Sequence, residues 1–174
     1  MTSFENISNI AVMIVAGLVI GKNVYDRTVA PRPTSLLFTQ RFMGKPLYLP
    51  GALGPSKKGT VGLFLSKSCH FCSESFDFYR RLSQSRSTTP CEVRVMALGP
   101  KDRESREELV SYLNAHAFTA DGMEMVSFAD LSVFATPTLV VQDASQTVRG
   151  IWVGKLSESR ETEVMNAIDS LCKN

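Results

Sequence analysis

An apolar run, Thr60-Val61-Gly62-Leu63-Phe64-Leu65, leads into Cys69-His70-Phe71-Cys72, and beyond it apolar residues recur at helical spacing. This order constrains the fold more than any other stretch. It predicts a buried strand, a tight turn, and a helix whose first turn carries a cysteine pair. Two residues between the cysteines let their sulfurs meet in one small ring. The first thiol then faces the unpaired amides and the positive dipole end of the helix, which favour its ionised form. The spacing is compatible with a redox dithiol, half of a zinc site or a structural disulfide. A second zinc half is not recognisable, because Cys91 and Cys172 are far apart and His116 is the only other histidine. We therefore read the motif as redox-active and expect no metal site.

A second element follows downstream in Phe134-Ala135-Thr136-Pro137-Thr138-Leu139-Val140-Val141. Its proline opens a β-branched run, where it cannot donate to a ladder and so belongs at a strand entrance. A cis Thr136-Pro137 bond suits that place. It would present an open main-chain edge to an extended substrate segment, making Thr136 and Pro137 candidate substrate-binding residues.

With Ser68-Cys69-His70-Phe71-Cys72-Ser73-Glu74-Ser75, Thr136-Pro137-Thr138-Leu139 and a hairpin from Val140 to Val153 ending in Trp152-Val153-Gly154-Lys155-Leu156, the chain resembles the thioredoxin-like superfamily. Within it, the chain resembles the membrane-anchored TlpA-like thiol-disulfide oxidoreductases. The resemblance implies an α/β fold with a central mixed sheet flanked by helices. It implies Cys69 as attacking cysteine, Cys72 as resolving cysteine and Pro137 as the cis-proline, with no cofactor. The implied activity is protein-disulfide reduction on client proteins with cysteine pairs, replenished by an upstream membrane dithiol donor. A different class of function stays open, a Cu(I)-binding assembly factor, since two thiolates suffice for that soft ion. A peroxidase is disfavoured because Ser66-Lys67-Ser68 lacks the proline and threonine expected before a peroxidatic cysteine.

Departures from the wider pattern are also informative. Many thioredoxins carry a buried acid six residues before the first cysteine, where this chain has Leu63. Glu74 is the candidate for proton transfer in its stead, against the simpler reading of a charge that complements the helix dipole. Ser68 replaces the usual tryptophan. His70 and Phe71 are the candidate redox-tuning residues: a protonated imidazole beside the thiolate favours the reduced form, whereas one turned to solvent does little. Trp152 is expected to pack under the sheet rather than bind substrate.

Between Glu5 and Lys22 no residue is charged, and Ile10 to Ile20 is its apolar centre. We read residues 1–27 as a single uncleaved transmembrane anchor, 28–44 with Pro31 and Pro33 as a tether, and 45–174 as the thioredoxin-like domain. Lys22, Arg27 and Arg32 on the carboxyl side argue for a cytoplasmic domain, but the resemblance implies the extracytoplasmic side of a cell inner membrane, single-pass. A net charge of +2 without an aromatic-studded basic patch gives no case for nucleic acid. In a thioredoxin-like fold the strand starting at Cys91 and the helix ending at Cys172 reach the same sheet end, so these two cysteines are candidates for a structural disulfide.

Overall fold

Gly59–Phe64 forms β1, and every residue of it but Thr60 is buried, as expected of a strand covered on both faces. The computed structural model describes residues 39–49, 58–88 and 92–173; the expected anchor and Cys91 lie outside them. The remaining elements are α1 (His70–Glu74), α2 (Phe76–Thr88), β2 (Val93–Pro100), α3 (Arg106–Ala115), β3 (Gly122–Val126), β4 (Thr138–Asp143), β5 (Val148–Val153) and α4 (Glu158–Lys173). The sheet order is β3-β2-β1-β4-β5. β1 runs parallel to β2, β2 parallel to β3, and β4 antiparallel to both β1 and β5. This is the mixed sheet with flanking helices that the resemblance implies.

Strand alternation divides the apolar side chains between two cores. Val61 and Leu63 join Cys72, Phe76, Leu82, Leu139, Trp152 and Val164 in one. Phe64, Leu98, Val140, Val148 and Ile151 form the other, against which Phe42 and Leu49 pack. Residues 39–42 are helical. The chain after them is held to the β5 edge by the Gly44 N–H on the Val148 carbonyl (2.9 Å) and the Leu47 N–H on the Gln146 carbonyl (3.0 Å). Among the described residues no helix is long and apolar enough to cross a membrane.

The helices follow the expected spacing, with instructive differences. Phe76, Tyr79 and Leu82 all face the core, and Phe78 is buried beside them. Helical periodicity predicts α3 over Asp102 to Phe118, but it begins only at Arg106. Ser105 caps it, accepting the Glu108 N–H, while the Glu108 carboxylate accepts the Ser105 N–H. At the other end Ala117 has φ +49, which stops the helix and leaves Ala117 exposed. Val110 is also exposed, so the inward stripe is Leu109 and Leu113. Residues 122–134 contain β3, half-buried except at Val126. The expected hairpin is present across Asp143 to Gln146, with a bulge at Val141/Gln142.

Candidate functional site

Both motif cysteines are free thiols, and they occupy different environments. Cys69 caps α1 with extended backbone (φ −92°, ψ 108°) and is half-buried. Its sulfur accepts the Cys72 N–H at 3.2 Å and donates to the Thr136 carbonyl at 3.1 Å. Cys72, one helical turn inside, has no exposed surface. Burial pushes the Cys72 thiol up, and its hydrogen bond with Cys69 adds to the effect. The more accessible Cys69 can therefore meet a substrate while the buried Cys72 waits behind it.

The Thr136-Pro137 bond is cis, as the sequence suggested. Thr138 Oγ1 donates to the Ala135 carbonyl (2.7 Å), and the Gly154 N–H donates to the Pro137 carbonyl (2.7 Å). Gly154 has φ +83, a left-handed conformation that suits glycine and lets β5 pass tightly beneath this loop before α4. The two sequence motifs thus meet at the Cys69 sulfur.

The redox-tuning candidates flank the same point. His70 is 79% exposed, and its Nε2 lies 2.9 Å from Glu74 Oε1. Glu74 Oε2 accepts from Lys155 Nζ at 2.9 Å. The Lys155 hydrogen bond holds the Glu74 carboxyl below the usual carboxylate range. Glu74 is thus an ion-paired group at the protein surface. Phe71 is 54% exposed and Phe134 63%. They line a cleft of about 620 Å³ together with Cys69, Ser68, Arg103 and Thr136.

Several neighbours were not singled out from sequence. Tyr112 Oη is 3.0 Å from Ser73 Oγ, and burial pushes the Tyr112 hydroxyl up to about 12. Burial likewise raises the Tyr79 hydroxyl. Glu104 is buried beside the turn entering α1 and accepts from Ser66 Oγ at 2.5 Å. The signal available for it was slight: a glutamate immediately before the helix-capping Ser105, in the loop leaving the strand beside β1. His116 stacks on Phe76 with ring centroids 4.2 Å apart, a packing role. Trp152 is buried under the sheet as expected, its Nε1 donating to Glu163 Oε2 at 3.2 Å. Cys172 lies on the last turn of α4, while its proposed partner Cys91 is outside the described residues. Among the described residues no group of three or more histidine, cysteine or acidic side chains converges to hold a metal ion.

No family model matches the chain. No curated protein is similar to it in sequence. Solved structures share its fold. A protein assigned as the thiol:disulfide interchange protein DsbE from Chlorobium tepidum superposes with a TM-score of 0.57 at 15% identity, covering 75% of this chain and 96% of that one. StoA from Bacillus subtilis gives 0.52 at 11% identity, over 67% and 84%. A secreted Mycobacterium tuberculosis disulfide oxidoreductase homologous to Escherichia coli DsbE gives 0.52 at 14% identity, over 67% and 84%. The fold is therefore thioredoxin-like.

Proposed function

We propose that this chain is a thiol-disulfide oxidoreductase that reduces disulfides of extracytoplasmic client proteins through Cys69 and Cys72. The observation that carries this reading is the Cys69 sulfur held between the Cys72 N–H and the Thr136 carbonyl, beside Pro137 and at the mouth of a cleft. The Cys69 thiolate attacks one sulfur of a client disulfide, a Cys69–client disulfide forms, and the other client sulfur leaves as a thiolate. The departed client thiolate takes up the Cys72 proton, and the Cys72 thiolate attacks the Cys69 sulfur. The second client sulfur leaves, so the client gains two electrons and Cys69–Cys72 becomes the disulfide. An upstream membrane dithiol donor returns the pair to its reduced form.

Extended client chain pairs at the Thr136-Pro137 edge, and Phe71 and Phe134 supply apolar surface on the cleft. Residues 1–27 anchor the protein in a cell inner membrane with the domain outside, in line with the secreted M. tuberculosis protein that shares the fold. Mixed-disulfide trapping tests the reading. Cys72→Ser should accumulate a covalent adduct with a disulfide-containing probe peptide, released by dithiothreitol and mapped to Cys69, and Cys69→Ser should form none. Full exchange activity in Cys69→Ser would defeat the proposal.

A further inference from the structure

Leu63 leaves the redox site without the buried acid found at that place in many thioredoxins, yet a different buried carboxylate lies next to the motif. Glu104 sits in the loop between β2 and α3 and is 8% exposed. Its Oε1 accepts both the Ser66 hydroxyl (2.5 Å) and the Lys67 N–H (3.0 Å). The Ser66 hydroxyl in turn lies 2.8 Å from Ser68 Oγ and accepts the Ser68 N–H at 3.3 Å. One carboxylate thereby fastens the whole turn from Ser66 to Ser68. Ser66 also reaches the sulfur residues directly: its carbonyl accepts the Cys69 N–H at 3.1 Å, and its main chain is hydrogen-bonded to Cys72 in the sense that favours the thiolate.

A structural clamp would explain Oε1, but not Oε2. Among the described residues that oxygen is buried and has no hydrogen-bond partner. A buried acceptor left unpaired is costly, and a native structure that keeps one has a reason to hold charge there. None of the charged or titratable groups described around it hydrogen-bonds to that oxygen, although the Lys67 ammonium attracts the carboxylate through space. The Lys67 ammonium is engaged by Glu108, the Tyr112 hydroxyl by Ser73, and Asp102 and Arg103 line the cleft from the same loop.

We propose that Glu104 is a positioning residue whose carboxylate sets, through Ser66, the turn that presents Cys69 and, by its own buried negative charge, opposes ionisation of the Cys69–Cys72 dithiol. Reduction of the Cys69–Cys72 disulfide brings two electrons and two protons to the pair. A negative charge nearby keeps those protons on sulfur to higher pH, which makes the remaining thiolate a stronger nucleophile and the dithiol a better reductant. This rests on the exchange reading above, and it supplies the buried acid that Leu63 does not.

Glu104→Gln keeps an acceptor for Ser66 and Lys67 and removes only the charge. In the reduced chain, the pH profile of Cys69 alkylation, followed by mass, should then move to lower pH, with about tenfold faster modification below the wild-type midpoint. Above that midpoint the equilibrium with glutathione should shift up to about tenfold toward the dithiol, about 30 mV for a two-electron couple. Glu104→Asp, which keeps the charge, should stay close to wild type. Ser66→Ala, which takes away the hydroxyl that links the carboxylate to the turn, should shift the profile the same way by about threefold. It serves as the test should Glu104→Gln not fold. Profiles and equilibria that superimpose on wild type in these variants would overturn the inference, leaving Glu104 a fastener of the turn. That outcome is distinct from failure of the exchange reading, which shows as activity surviving in Cys69→Ser.

Discussion

Gly150→Ala is expected to destabilise the domain by forcing out the indole that underlies the cis-proline strand. The Trp152 ring lies across Gly150, two residues earlier on the same face of β5. A methyl group there would stand 2.1 Å from Cη2 and 2.4 Å from Cζ3. Carbon atoms in contact rest at about 3.5–4.0 Å, so the ring must withdraw by about 1.5 Å. It has little room to do so, being 7% exposed, packed in the core that also holds Cys72, and hydrogen-bonded to Glu163. Overpacking of this kind costs about 1–3 kcal/mol. Weakening the indole hydrogen bond adds about 1 kcal/mol, and better strand propensity of alanine returns about 0.5 kcal/mol. The net is about 1.5–3.5 kcal/mol, which for a domain of this size lowers the melting temperature by roughly 5–14 °C. The decisive assay is a double-mutant cycle by urea and thermal unfolding. Trp152→Leu opens the space, so Gly150→Ala should cost under about 1 kcal/mol in that background, a coupling of about 1–2 kcal/mol. A Gly150→Ala protein within about 0.5 kcal/mol of wild type, or an equal cost in both backgrounds, would refute the packing argument.

Other expectations follow from the same structure. At pH 7 iodoacetamide should modify Cys69 about 100-fold faster than Cys72, because Cys72 is fully buried and burial raises its thiol; comparable rates by peptide mass mapping would contradict the asymmetry. Phe71→Ser and Phe134→Ser should each raise KM severalfold for an apolar peptide disulfide while leaving turnover of oxidised glutathione unchanged, and equal effects on both substrates would count against a client surface in the cleft. Burial pushes the Asp143 carboxyl up, but hydrogen bonds from Ser145, Arg149 and the Thr147 N–H outweigh it and hold the carboxyl below the usual range. The stability it supplies is therefore complete above the unfolded carboxyl value near 3.9 and is lost as pH falls through the lower folded value. Asp143→Asn should flatten that acid limb in pH-dependent urea melts. Leu171 packs against Gly59, which pairs with Val93 at the start of β2, so Cys172 follows a residue seated at the sheet end where β2 begins. If the two are bonded, Cys91→Ser and Cys172→Ser should each lower the melting temperature under oxidising conditions, and no change in either would remove the proposed disulfide.

The parts of the fold that could be read from sequence are those where local chemistry and burial agree. β1 is apolar and ends at a cysteine-capped helix, Phe76, Tyr79 and Leu82 share one helix face, and Pro137 has one place it can sit. Those features also fixed the position of the Cys69–Cys72 and Thr136-Pro137 pair. β3 was not legible, because GMEMV is an edge strand, half-buried except at Val126. The late start of α3 was hidden because Lys101 to Glu104 continue its charged pattern, and only the reciprocal Ser105–Glu108 bonds mark the boundary. Glu104 was invisible for a related reason. In sequence it is one acid in a mixed charged run, and its burial comes from contact with Ser66 and Lys67 on a different segment of chain. Phe134 likewise gains meaning only when the fold sets it on the same cleft as Phe71.

The most direct measurement is a redox titration of the purified chain in glutathione and dithiothreitol buffers, with free thiols trapped and Cys69 and Cys72 assigned by mass. One reversible two-electron couple confined to this pair is expected, with a midpoint below about −200 mV, as suits a reductant supplied by an upstream donor. A midpoint near about −120 mV would reverse the direction to oxidation. Failure of the pair to form a disulfide at any poise would contradict the central claim.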